Sequence, residues 1–169
     1  MSRLSLLALL GLIVVLASGC SPSIQVNQDW DDHIDFMAYR SFKILDTRGV
    51  GDDLVARRLV NSVEVHMTER GYVVDEDNPE FLIAIHTNVE DRLDVQSWGY
   101  SASSRYWHGG SDITVSQYQE GTLILDFVQP QDMQLFWRGW GTVTVSSSTR
   151  DPAALQEIVD KILAQFPPR

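Results

Sequence analysis

Apolar positions along the chain fall into short alternating runs and two helical stripes, and these set the expected elements. Residues 24–30 alternate, with Ile24, Val26 and Gln28 on one side, and predict a first strand. The acidic turn Asp31-Asp32-His33 leads to Phe36, Tyr39, Phe42 and Ile44, with a second strand expected from about Arg40 to Leu45. Thr47-Arg48-Gly49-Val50-Gly51 reads as a loop by its glycines. Asp52 or Asp53 then caps a helix running to about Arg70, and Gly71 closes it as a left-handed residue. Val55, Leu59, Val60, Val63 and Met67 place one apolar face on that helix.

Strands are expected next at Tyr72 to Val74 and at Phe81 to Val89, separated by the polar turn Asp75-Glu76-Asp77-Asn78-Pro79. Between Glu90 and Gln117 the periodicity fades, and Ser, Gly and aromatic residues take over. A hairpin follows, Tyr118 to Val128 and Leu135 to Ser146, turning around Pro130-Gln131-Asp132. The last helix has Asp151 as cap and Pro152 in its first turn. Its stripe is Leu155, Ile158, Val159, Ile162, Leu163 and Phe166, and Pro167-Pro168 ends it. This order predicts an α+β fold, a mostly antiparallel sheet with two helices packed on one face.

One apolar run fits neither strand nor core helix. Residues 4–17 read LSLLALLGLIVVLA, short of the roughly 20 residues that span a bilayer. The run sits behind Arg3 and ends in Ala17-Ser18-Gly19, the pattern of a cleaved secretory signal. Cys20, the single cysteine, follows at once, and Leu16-Ala17-Ser18-Gly19-Cys20 resembles a bacterial lipobox. That resemblance implies cleavage before Cys20, a diacylglyceryl group on its sulfur and an acyl chain, such as palmitate, on its amino group. Ala17 stands where the commonest pattern has Leu. Ser21, where an inner-membrane retention signal has Asp, implies the outer membrane, lipid-anchored and facing the periplasm. The chain thus divides into a signal peptide (1–19), a lipidated cysteine with a short tether (20–25) and a single domain (26–169).

The division changes the composition. Removing residues 1–19 deletes Arg3 and no other charge, taking the formal net charge from −10 to −11. Such an acidic domain argues against nucleic acid as a partner, since the phosphate backbone selects basic surfaces. With no second cysteine, intrachain disulfides are excluded, and stability must come from the core.

Candidate catalytic chemistry is thin. Asp29, Asp31, Asp32 and Asp35 invite a calcium reading, but His33 breaks the ligand pattern and no glycine turns the loop, so turn carboxylates fit better. His33, His66, His86 and His108 show no zinc-site spacing, which leaves only a spatial pairing such as His66 with His86. Gly99-Tyr100-Ser101-Ala102-Ser103 lacks the last glycine of a nucleophile elbow. No catalytic residue, metal site or cofactor is expected beyond the covalent lipid on Cys20.

The hairpin carries the most specific signature. Tyr118-Gln119-Glu120-Gly121-Thr122-Leu123-Ile124-Leu125-Asp126-Phe127-Val128, followed by Leu135-Phe136-Trp137-Arg138-Gly139, resembles bacterial lipoproteins of the domain of unknown function 4136 family. Asp35-Phe36, Tyr39, Phe42, Leu59, Val63, Arg70-Gly71-Tyr72 and the closing Phe166-Pro167-Pro168 match in order, from about Val26 to Pro168. Gln129 and Glu80 stand where the family often has Asp, both at turns. The resemblance implies an envelope lipoprotein with an α+β domain and no established activity.

Binding has two candidates. Trp98, Tyr100, Arg105, Tyr106, Trp107 and His108 lie in a Ser/Gly-rich stretch, where aromatic side chains offer large contact area to a protein groove or a glycan. The bland alternative folds them back over the sheet. In Trp137-Arg138-Gly139-Trp140, alternation places Trp137 in the core and Arg138 with Trp140 on the other face, as a cation–π pair or an ion pair with Asp126. The expectation is a non-enzymatic binding or envelope-assembly module that meets the membrane through its lipid and an envelope protein or glycan through its surface. The alternative is a metal-dependent or hydrolytic envelope enzyme with a non-local site.

Overall fold

A computed structural model describes residues 24–45, 47–97 and 113–167. Its strands are β1 (Gln25–Trp30), β2 (Ser41–Ile44), β3 (Val73–Val74), β4 (Phe81–Ser97), β5 (Ile113–Val128) and β6 (Leu135–Thr144). Helix α1 (Asp53–Glu69) lies between β2 and β3, and α2 (Pro152–Leu163) follows β6. The sheet order is β1-β6-β5-β4-β2-β3. The pairs β1–β6, β6–β5 and β5–β4 are antiparallel, whereas β2 runs parallel to both β4 and β3. The fold is α+β, as the pattern of elements predicts.

Local chemistry explains the helix ends. Asp52 caps α1, its Oδ1 accepting the amides of Leu54 (2.8 Å) and Val55 (3.4 Å). At the other end Gly71 takes φ of 85°, and the Tyr72 N–H donates to the Met67 carbonyl at 3.1 Å. Asp151 departs from expectation. Its side chain makes no cap bond, and only its carbonyl enters the helix, accepting from Leu155. Pro152 at the first position already fixes a helical φ and has no N–H to be capped.

Both helices share one core. Leu59, Val63 and Met67 from α1 and Ile158, Val159, Ile162 and Leu163 from α2 are buried with Ile83, Ile85, Leu125, Phe127 and Trp137 of the sheet. Phe166 stacks on Phe127 with centroids 4.7 Å apart and meets Trp137 edge-on at 5.1 Å. Arg70, just past α1, donates to the carbonyls of Leu163 (2.7 Å), Phe166 (3.0 Å) and Pro167 (3.0 Å), which ties the end of α2 to α1. The carboxylate of Glu80 accepts the backbone N–H groups of Arg40 and Ser41, so the longer acid at this turn joins β2 to the start of β4.

One element is longer than the sequence suggests. The strand expected to stop at Val89 continues to Ser97, and its partner begins at Ile113 rather than Tyr118. Register runs unbroken from Leu82↔Val128 to Ser97↔Ile113. Strand β6 stops opposite Glu120 with Thr144, and Val145 adds one last bond to the Gln119 carbonyl. Among the described residues, 92–97 and 113–118 therefore pair only with each other, as a two-stranded arm about 20 Å long at ~3.3 Å per residue. Leu93-Asp94-Val95 and Ile113-Thr114-Val115 still alternate here, and of the arm's described side chains Arg92, Leu93, Ser116, Gln117 and Tyr118 are exposed.

Candidate functional site

The arm is the first candidate. Leu93, 68% exposed, and Tyr118 sit on its described part, with Asp91, Arg92, Gln117 and Gln119 also exposed. Cross-strand polar contacts hold its base: Arg92 Nη2 lies 3.2 Å from Glu120 Oε1, and Gln119 Nε2 donates to Asp91 Oδ1 at 3.1 Å. Residues 98–112 join its two strands. Trp98, Tyr100, Arg105, Tyr106, Trp107 and His108 fall in this stretch and lie outside the described residues, as do Cys20 and the signal segment 1–19.

The second candidate is the sheet face opposite the helices. Asp126 of β5 pairs across the ladder with Arg138 of β6, and Arg138 Nε and Nη2 donate to Oδ1 and Oδ2, both at 2.6 Å. Of the two partners expected for Arg138, the structure selects the ion pair. Asp126 is buried, and His86 Nε2 approaches its Oδ2 to 3.6 Å. The hydrogen bond to Asp126 raises the pKa of Arg138, burial opposes this, and the charges of Asp126 and Asp29 add to it. Beside the pair lies a hollow of about 360 Å³ walled by Leu45, Arg48, His86, Val128 and Met133. Asp126 is engaged by Arg138, so this cluster offers a fixed dipole rather than a poised base.

The third candidate is an apolar crevice of about 460 Å³ between the helices and the sheet. Leu123 and Val143 line its sheet side, and Leu59, Leu155 and Ile158 its helix side, while Gly121 and Gly141 place no side chain there. Asp52 and Arg150 stand among its polar lining. Its size falls within that of ligand pockets, and its lining is mostly hydrophobic as theirs is. The apolar stripes and alternations of the sequence do not mark it. Two glycines inside strands were the available signal, since a strand glycine marks a place where something approaches the backbone closely.

Among the described residues the histidines do not gather. His66 on α1 meets Asp160 of α2, Nδ1 to Oδ1 at 2.7 Å, with Gln156 Nε2 also donating to Asp160 at 2.9 Å. His86 sits on the far face of the sheet, so the two do not form a pair. Asp31, Asp32 and His33 are the group of metal-capable side chains found among the described residues. Asp31 Oδ1 there accepts the His33 backbone N–H at 2.9 Å and lies 3.1 Å from its Nδ1, closing a turn. This bond, first from the backbone and then from the ring, holds the Asp31 carboxyl below its ordinary pKa.

Attachment geometry adds a relation between candidates. Gln25 begins β1 opposite Thr142, two residues from the end of β6, where the arm leaves the body at Glu120↔Thr144. The start of β1, the base of the arm and the crevice therefore share one end of the sheet. No described helix is long and apolar enough to cross a membrane.

Comparison with known proteins places this geometry. The profile of the domain of unknown function DUF4136 matches residues 26–168. A DUF4136 family protein from Bacteroides thetaiotaomicron shares the fold with a TM-score of 0.54 at 13% identity, covering 87% of this chain and 97% of that one. A PelC dodecamer from Paraburkholderia phytofirmans matches with a TM-score of 0.54 at 10% identity, covering 87% of this chain and 99% of that one. A PDZ domain protein from Parabacteroides distasonis matches with a TM-score of 0.57 at 12% identity, covering 94% of this chain but 40% of that one. No curated protein matches the sequence.

Proposed function

The chain belongs to the DUF4136 family, and from that premise we propose that it is a lipid-anchored, periplasm-facing protein of the outer membrane that binds envelope components without catalysing a reaction. The arm carries the reading. An isolated two-stranded ribbon is marginal in water, and among the described residues both long edges of 92–97 and 113–118 lack a neighbouring strand. Such edges are templates for strand addition by a partner, whose main-chain bonds supply affinity while side chains supply specificity. The aromatic residues Trp98, Tyr100, Tyr106 and Trp107 belong to the segment joining these strands, with Arg105 and His108 beside them, and suit a protein groove or a glycan.

Anchorage rests on the lipobox-like sequence ending at Cys20 and on the position of Gln25, which begins the sheet five residues later. The absence of catalysis rests on how the polar groups are spent. Arg138 occupies Asp126, His66 is joined to Asp160, and the Asp31 cluster is an exposed turn. The PelC protein of similar fold is a dodecamer, so self-association is one form the binding can take.

Site-specific photocrosslinking in cells tests this. A photoreactive residue at Leu93, Gln117 or Trp107 of the full-length protein is expected to give a discrete adduct, with a second protein, a glycan strand or a second copy. Adducts absent from all three positions, in protein that is folded and lipidated, would overturn it.

A further inference from the structure

We infer that the apolar crevice receives one acyl chain of the lipid on Cys20, an inference that rests on the anchorage proposed above. The crevice is open on one side, holds about 460 Å³ and is walled by the buried apolar side chains of Leu59, Leu123 and Ile158, as ligand pockets are. At the two glycines other side chains lie directly against the sheet backbone, leaving no room for a Cβ. A Cβ on Gly121 would sit 2.8 Å from Val145 Cγ2, and one on Gly141 would sit 3.0 Å from Ile162 Cδ1.

Strand β1 starts beside the strand that lines the crevice. Gln25 pairs with Thr142, and the neighbouring Gly141 and Val143 both line the crevice. Ile24 and Val26 pack against the core on the helix-covered face, the face that also bears the crevice. Residues 21–24 separate Cys20 from β1, so five Cα steps join Cys20 to Gln25 and reach about 18 Å at most when extended. A chain of many methylenes attached at that distance overlaps the crevice.

Energetics permit the exchange. Burying a methylene is worth about as much among apolar side chains as among lipid tails. The two sites then compete on nearly equal terms. A short covalent tether raises the local concentration of the chain to the order of mM, which a free bilayer lipid does not share. One chain in the crevice and the remaining chains in the bilayer would hold this end of the sheet, and the base of the arm, against the membrane surface.

The test uses the full-length protein made in cells fed a diazirine fatty acid, purified in its native membrane and irradiated. Mass mapping is expected to join the Cys20 peptide to peptides carrying Leu123, Val143 or Leu155 of the same chain. A Val50→Trp variant, which fills the rim from a loop, is expected to lose that crosslink while keeping the label. Label on Cys20 that joins only bilayer lipids overturns the inference and leaves the anchor intact, as does a phospholipid or another protein found in the crevice. No label on Cys20 overturns the anchor itself and this inference with it.

Discussion

Asp126 and Arg138 face each other across β5 and β6, and the guanidinium meets both carboxylate oxygens at 2.6 Å on the sheet face away from the helices. Asp126 is buried while the Arg138 side chain stays 44% exposed. The acid thus depends on the arginine for a partner, and the arginine keeps one side in water.

That asymmetry predicts unequal mutants. Arg138→Met strands a buried carboxylate, and about 1–2 kcal/mol of stability is expected to be lost, the lower part of the usual range because solvent screens the pair. The double variant Asp126→Leu/Arg138→Met removes the stranded charge and should recover part of the loss. Urea unfolding of both variants measures this. The raised Arg138 pKa contributes fully at neutral pH and fades only in strong alkali, as pH climbs through the folded value, so the loss should not vary between about pH 6 and 8.

Gly139 is expected to tolerate no side chain. A Cβ there would lie 2.2 Å from Trp137 Cη2 and 2.7 Å from Ile162 Cγ2, both fully buried. Gly139→Ala should cost about 2–3 kcal/mol by overpacking, seen as a lowered Tm with quenched or shifted Trp137 fluorescence. A wild-type Tm would refute the close approach.

Arg70 holds the end of α2 with three carbonyl contacts and lies 5.5 Å from the Phe166 ring centroid. Lysine keeps the charge but loses the planar fork. Arg70→Lys should cost about 1–2 kcal/mol, with amide exchange accelerated first in residues 162–166. Uniform acceleration across the domain would show that the clamp is not local.

Asp31 supplies a pH dependence. Its folded pKa is depressed, so its turn contributes stability above the unfolded value and loses it as pH falls, below about pH 4. Carboxylate titration by NMR should place Asp31 below the same residue in a short peptide of this sequence. His33→Gly removes the ring but keeps the backbone donor, and should abolish only part of the shift, since the backbone bond is its largest cause.

Much of this protein is written locally. The 3.6-residue stripe of α2, the Asp52 cap and the Gly71 terminus depend on neighbours in sequence, as does the alternation that puts Trp137 and Arg138 on opposite faces. The family is equally legible, because its hairpin and closing residues form one ordered pattern. Other features needed the tertiary structure. Strand order, with β2 parallel to β4 while β1 closes the far edge, comes from pairings between distant segments that no local period encodes. The alternations Leu93-Asp94-Val95 and Ile113-Thr114-Val115 are too short to predict strands alone, and their pairing is settled only in the folded sheet. The crevice was hidden because a cavity is the space left by several elements and belongs to no stretch of chain. Placement of the arm, the crevice and the start of β1 at one end is of the same kind: a consequence of antiparallel direction, settled only when the strands meet.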